Sequence, residues 1–292
     1  MRSFEDHNPV TVVVYYLTTV TVCMFSMNPV LHLIAFLGGL IQFIMRGCDR
    51  SRRTHLFYIL TGIILALVRP IFSHNGVTVL FVVNDNPITA ESFIFGINSA
   101  VMVVGVLYLF RVLSEMLTSD RLLYIFGRLS PKTALVLSMG LRYIPLMKNR
   151  YNMIFRAQTA IGINKDDNVI DRMKGSLKVF DATLGWGLEN GIITADSMSA
   201  RYYGSGKRSC YRVFRMRRSD LVILGMVAAF MIPVVAGLWN GSFETTFYPE
   251  FAMMRPDTLA VAGYTGYACL MLIPPVLNIM ENIRWKYMMS KT

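Results

Sequence analysis

Apolar positions along this 292-residue chain fall into two patterns, unbroken blocks and helical stripes. Six stretches are apolar on every side of the helix they would form: Val10 to Ser26, Pro29 to Met45, Leu56 to Phe72, Phe93 to Phe110, Leu221 to Trp239 and Leu259 to Ile279. A helix needs roughly 17–25 such residues to cross the hydrocarbon core of a bilayer. The first two blocks are separated only by Met27 and Asn28 before Pro29. This predicts a tight helical hairpin, because proline suits a helix start. Between the third and fourth, GVTVLFVVNDNPIT is apolar but too short to span, and reads as an interfacial segment followed by a turn. The expected fold class is an all-α polytopic membrane protein with about six transmembrane helices.

The stripes lie in the interval from Leu113 to Ser219, far longer than the ~12–15 residues that structureless loops usually reach. From Pro131, a favoured helix-start residue, Leu135, Met139, Tyr143, Leu146, Arg150, Met153, Ala157 and Ile161 recur at helical spacing. A second series begins near Asp166-Asp167-Asn168, which suit a helix N-terminus, and runs through Ile170, Met173, Leu177, Phe180, Leu184, Leu188, Ile192 and Ala195. Two long amphipathic helices are expected, with Pro145 kinking the first and Gly185 and Gly187 flanking Trp186 in the second. Their polar faces are cationic, with Arg142, Lys148, Arg150 and Arg156 on one and Arg172, Lys174 and Lys178 on the other. Each apolar stripe needs cover, either by the helices crossing or by the membrane interface. The chain then divides into residues 1–114 with four spans, 115–219 with the amphipathic pair, and 220–292 with two spans.

Charge orients this arrangement. Only 16% of residues are charged, against about 25% in soluble domains, yet the net charge is +11. Arg46, Arg50, Arg52 and Arg53 lie between the second and third blocks, and Lys207, Arg208, Arg212, Arg215, Arg217 and Arg218 close the long interval. Ser73 to Ser92 has no Lys or Arg, and Asn240 to Asp257 has only Arg255 against Glu244, Glu250 and Asp257. The positive-inside rule therefore places both termini and the long interval in the cytoplasm, and accounts for the basic residues without a nucleic-acid partner. The N-terminal nine residues carry two acids and a histidine against one arginine, so the first block reads as a span rather than a cleaved signal. Arg69, near the outer end of the third block, is expected to snorkel outward.

Chemistry-bearing motifs are scarce. Cys23, Cys48, Cys210 and Cys269 are dispersed, as are His7, His32, His55 and His74, which predicts free thiols and no metal cluster. GSGK at 204–207 suggests a phosphate loop, but Arg201 stands where the first glycine should be and Arg208 where the magnesium-binding hydroxyl should be. Asp166, Asp167 and Asp171 serve a helix start better than a metal site.

The segment LSMGLRYIPLMKNRYNMIFRAQ at 137–158 is followed by Ala157-Gln158-Thr159-Ala160-Ile161-Gly162 and, further on, by Ser197-Met198-Ser199-Ala200-Arg201-Tyr202 with Gly204 close behind. These residues resemble the coupling motifs, Ala-Gln-x-Ala-Arg-Gly and Ala-Met-x-Ala-Arg-Gly, of the transmembrane T component of energy-coupling factor (ECF) transporters, the EcfT/CbiQ family. The resemblance implies a non-catalytic scaffold in a bacterial plasma membrane. Its coupling helices would dock on two ABC-type ATPase subunits, and its spans would move a substrate-binding membrane S component in vitamin or metal-ion uptake. It further implies that Gln158, Ala160, Ile161 and Gly162 at one helix end, and Ala200, Arg201, Tyr202 and Gly204 at the other, meet the ATPases, with no cofactor and no metal. Ile161 departs from the motif's arginine, and Tyr202 from its glycine, which is acceptable if the helix continues to Gly204. Two other classes compete: a self-contained secondary transporter, which should show inverted repeats or broken polar spans, and a membrane enzyme with a cytosolic helical site.

Overall fold

The computed structural model describes residues 4–46, 52–72, 76–83, 86–162, 169–203, 206, 214–248, 252–253 and 257–290. Its Cα packing divides the chain into two units, Met1–Thr118 with Phe214–Thr292, and Ser119–Val213. The first unit contains helices α1 (Pro9–Phe25), α2 (Pro29–Arg46), α3 (Arg52–Phe72) and α4 (Ala90–Met116), then α8 (Arg218–Trp239) and α9 (Thr258–Met289) after the second unit's three. Five of these six are long and apolar enough to cross a membrane, and α1, at 17 residues, stands at the lower limit of that length. The helical membrane fold expected from the blocks is borne out.

Helix ends follow caps more closely than hydropathy. Asn8 Oδ1 accepts the Val10 amide (3.0 Å) with Pro9 in the first turn, and Thr89 Oγ1 accepts that of Ser92 (3.4 Å). The second cap starts α4 three residues ahead of its apolar block. Asp220 Oδ2 accepts the Arg217 amide (2.8 Å) at the start of α8, while its Oδ1 takes the Asn8 amide (3.2 Å) and lies 2.6 Å from His7 Nδ1. One buried carboxylate thus ties the N-terminus to the base of α8. The segment read as interfacial folds as a hairpin, β1 (Val79–Val83) pairing antiparallel with β2 (Asn86–Thr89), as the β-branched run VLFVV favours. A second short pair joins β3 (Thr245–Thr246) to β4 (Ala252–Met253).

Within this unit α2 lies between α4 and α9, α3 packs on α4, and α8 packs on α9. The α2–α4 contact is close because a Cβ on Gly105 would stand 3.1 Å from the Phe36 backbone. Tyr108 contributes its ring to the aromatic edges of Phe43 and Tyr58 in the same layer. Arg69, exposed near the end of α3, places its guanidinium 4.8 Å over the Phe95 ring.

Polar groups inside the unit are used to join helices. Pro274 and Pro275 stand in the middle of α9 and lack the amides that would have bonded the carbonyls one turn earlier, those of Leu270 and Met271. Tyr15 on α1 donates its hydroxyl to Leu270 O (3.0 Å), and Gln42 on α2 donates Nε2 to Met271 O (3.1 Å). Gln42 Nε2 also meets the Tyr15 hydroxyl (3.2 Å), Tyr16 donates to Gln42 Oε1 (2.8 Å), and Tyr267 donates to Thr19 O (3.0 Å). His32 is buried with Nδ1 2.8 Å from Asn98 Oδ1 and Nε2 2.7 Å from Ser26 O, binding the α1–α2 turn to α4. Asn98 Nδ2 completes that tie on Met27 O (3.2 Å).

Tyr15→Phe keeps the ring but orphans a buried carbonyl, a loss of about 1–3 kcal/mol. Thermal unfolding in detergent should show a lowered midpoint for this variant, and little change for Thr21→Val, whose hydroxyl bonds only its own helix on an exposed face.

Candidate docking site

The second unit is built from helices α5 (Ser119–Leu129), α6 (Pro131–Ala160) and α7 (Val169–Ala200). The short helix α5 is not apparent from the stripes. Its end is set by Ser130, whose backbone carbonyl and hydroxyl both serve the first turn of α6: Oγ accepts the Thr133 amide (3.4 Å) beside Pro131. From there α6 runs through Pro145 to Ala160 as one element. The proposed acidic start of α7, Asp166 to Asn168, lies outside the described residues.

Where α6 and α7 meet, the contact is made by polar and small groups. The Arg150 guanidinium lies 5.0 Å over the Trp186 ring, Tyr143 OH is 3.5 Å from Thr194 Oγ1, and Met147 packs so tightly on Gly187 that any Cβ there would collide with it. The covered side of α6 follows Tyr143, Met147, Arg150, Ile154 and Gln158, whereas the expected stripe continued through Leu146, Met153, Ala157 and Ile161, all of which are exposed. The two faces share Tyr143 and Arg150, and elsewhere Met147, Ile154 and Gln158 are covered in place of Leu146, Met153 and Ala157. On α7 the difference is greater. Val179, Thr183 and Gly187 are buried, and the expected stripe of Met173, Leu177, Phe180, Leu184, Leu188 and Ile192 is exposed along its length. Hydrophobic periodicity marks a face that avoids water without saying what covers it. Here the helices approach through their small residues and leave the apolar ridge outside.

The two helix ends share a backbone form. On α6, Ile161 is the C-cap, its amide bonding Ala157 O (3.2 Å), and Gly162 follows at φ +85° with its amide on Thr159 O (3.0 Å). On α7, the Arg201 amide bonds Ser197 O (3.3 Å) and Tyr202 follows at φ +57°. The Tyr202 amide bonds Ser199 O and that of Tyr203 bonds Met198 O, both at 3.0 Å, which is the paired closure of a Schellman motif. The helix does not continue to Gly204: it ends at Ala200, and Tyr202 occupies the left-handed position that glycine usually fills. Gly204 lies outside the described residues.

The predicted site residues therefore sit at two helix ends, with different chemistry on a common frame. Ile161, 75% exposed, presents an apolar tip, with Ala160 open beside it. Gln158 is half-buried, and among the described residues its Oε1 has no hydrogen-bond partner. At the other end Ala200 and Arg201 are exposed, and Tyr202 is 83% exposed. Sequence reading missed the Arg150–Trp186 pair; both residues had been noted, but spacing on two separate helices does not reveal their partner. Among the described residues no group of three His, Cys, Asp or Glu side chains could hold a metal ion.

No family model matches the chain. Over 192 residues it is 28% identical to energy-coupling factor transporter transmembrane protein EcfT 1 of Listeria monocytogenes serotype 1/2a (strain 08-5578), covering 60% of this chain and 69% of that protein. Its curated relatives are EcfT proteins. A second, the EcfT of Ruminiclostridium cellulolyticum (strain ATCC 35319 / DSM 5812 / JCM 6584 / H10), is 29% identical over 104 residues, or 35% of this chain and 39% of its own length. The likeness to EcfT drawn from the coupling motifs is borne out by these two proteins.

The crossing gives a direct check. Gly187→Val forces Met147 aside, an overpacking cost of about 1–3 kcal/mol, which should accelerate amide exchange across residues 143–154 by roughly tenfold or more. Unchanged exchange there would remove the close contact.

Proposed function

We propose that this chain is the transmembrane coupling subunit, or T component, of an ECF-type ABC importer in a bacterial plasma membrane, with both termini cytoplasmic. The observation that carries this reading is the matched pair of helix ends. Two long helices terminate in the same backbone geometry at the residues that resemble the coupling motifs, with Ile161 and Arg201 exposed. The names of the EcfT relatives support the transporter assignment.

In this function each helix end docks on one of two ABC-type ATPase subunits. Arg201 offers a planar fork of donors suited to a carboxylate in a groove, and exposed Ala200 allows close approach. At the α6 end Ile161 makes an apolar contact, with Gly162 providing the turn. Movement of the ATPases on nucleotide binding and hydrolysis then shifts α6 and α7. Such a shift does work only if the docked ends bind two states of the ATPase pair with different free energies. The exposed ridge from Met173 to Ile192 fits an apolar membrane partner, the S component that binds the vitamin or metal ion. A self-contained transporter is less well supported. It would keep polar groups available to a solute, whereas Tyr15, Gln42, His32 and Asn98 are engaged in hydrogen bonds between helices.

Affinity purification from the native membrane tests the reading. Wild type should bring down two ABC-type ATPase chains, and Arg201→Glu should lose most of both. Solute transport by the isolated chain, with no ATPase in any preparation, would overturn it.

A further inference from the structure

The base of α8 and the last turns of α9 lie at one end of their unit, because the N-terminal segment touches both. The Phe4 amide donates to Asn278 Oδ1 (3.2 Å), while His7 Nδ1 and the Asn8 amide meet Asp220 Oδ1 at 2.6 and 3.2 Å. From this end α8 departs at Arg218, and α9 arrives at it and continues past Asn278 to Met289. Exposed cations collect there: Arg215, Arg217 and Arg218 at the start of α8, and Arg284 and Lys286 on α9. Among the described side chains the acids next to them are exposed Asp6 and half-buried Glu281, whose Oε1 accepts Trp285 Nε1 (3.4 Å). Asp220 is taken up by His7 and by the amides of Asn8 and Arg217. Apolar surface is interleaved with the cations. Ile279, Met280, Ile283, Trp285 and Tyr287 are all exposed. At about 3.6 residues per turn, Arg284 and Lys286 fall on either side of the stripe from Ile279 through Ile283 to Tyr287.

Length says what surrounds these turns. At about 1.5 Å per residue the 32 residues of α9 extend about 48 Å, against ~30 Å for the hydrocarbon core of a bilayer and ~40–45 Å with its headgroup layers. The apolar block ends at Ile279, so the turns after it reach headgroup depth. Tryptophan and tyrosine settle at that depth, and long cationic side chains extend from it to phosphates. We infer that the base of α8 and the last turns of α9 form a binding site for an anionic phospholipid, with Arg215, Arg218, Arg284 and Lys286 on its headgroup and Ile283 and Tyr287 against its acyl chains. A free phosphate would satisfy the cations but leave the apolar stripe in water. An acidic soluble protein would have to displace the lipid that already surrounds a helix leaving the bilayer. Positive charge at a span end orients a helix by number alone. Here the cations come from two helices joined through residues 4–8 and flank an apolar stripe, which makes a site for one headgroup. The inference needs only that α8 and α9 span the membrane, and is independent of what the ends of α6 and α7 contact.

The test is native mass spectrometry of the full chain, purified in detergent and titrated with phosphatidylglycerol, phosphatidylcholine or inorganic phosphate. Each cation at an anionic lipid surface contributes about fivefold, so wild type should bind phosphatidylglycerol about tenfold or more tightly than phosphatidylcholine. Combining Arg215→Gln, Arg218→Gln, Arg284→Gln and Lys286→Gln should bring the two lipids within about threefold of each other. Arg217, the N-cap of α8, is left unchanged. Arg215→Lys, Arg218→Lys and Arg284→Lys together keep the charge and should keep the preference, which separates lost binding from lost folding. A control with Arg142→Gln, Lys148→Gln, Arg156→Gln and Lys178→Gln removes the same net charge from exposed positions on α6 and α7 and should leave the preference in place. The inference is overturned if the first four-site variant still prefers phosphatidylglycerol, or if the α6–α7 control loses the preference equally. Displacement of the lipid by inorganic phosphate at equal concentration would also overturn it, by showing a site for small anions.

Discussion

The carbonyls of Leu270 and Met271 cannot be satisfied by their own helix, because Pro274 and Pro275 have no amide to offer them. In water such groups would be solvated; in hydrocarbon each costs several kcal/mol unless the protein supplies a donor. Tyr15 from α1 and Gln42 from α2 supply them, and Tyr16 orients Gln42. A break in one helix thus requires two others to be in register with it. The same logic recurs at His32 and Asn98, where the α1–α2 turn is bound to α4. Buried polarity at these two junctions holds the helices together.

The unit from Ser119 to Val213 is organised on the opposite principle. Its two long helices touch through Arg150 on Trp186 and through Met147 on Gly187, and keep the ridge from Met173 to Ile192 outside. A chain that leaves so much apolar surface open has a partner or a lipid surface to place against it.

Much of the fold was legible in the sequence because block length and helix period are direct records of burial in hydrocarbon. The six blocks reappear as helices, and Pro131 and Ser130 mark the start of α6 as proline and serine usually do. Legibility failed where a partner decides the outcome. The stripe on α7 was real, but its periodicity did not distinguish a face buried within the chain from one left for another molecule. The pairing of β1 with β2 was not read from the sequence, where hydropathy drew attention ahead of the β-branched run. The end of α7 is a sharper case: Gly204 is the usual signal for a left-handed cap, and the structure puts that conformation on Tyr202, where no composition rule would look. The residues of the candidate site and the departure of Ile161 from the motif's arginine came from the sequence, while the backbone geometry of the two ends required coordinates.

The central claim is that the ends of α6 and α7 seat on two ATPase subunits. Site-specific photo-cross-linking in native membranes tests it most directly, with a photoreactive residue at Ile161 in one preparation and at Ala200 in another, and the captured peptides identified by mass spectrometry. The account predicts ABC-type ATPase peptides at both positions, from different grooves, and none from a control probe at Leu188 on the apolar ridge. Capture of lipid or of other membrane proteins alone at both helix ends would contradict it.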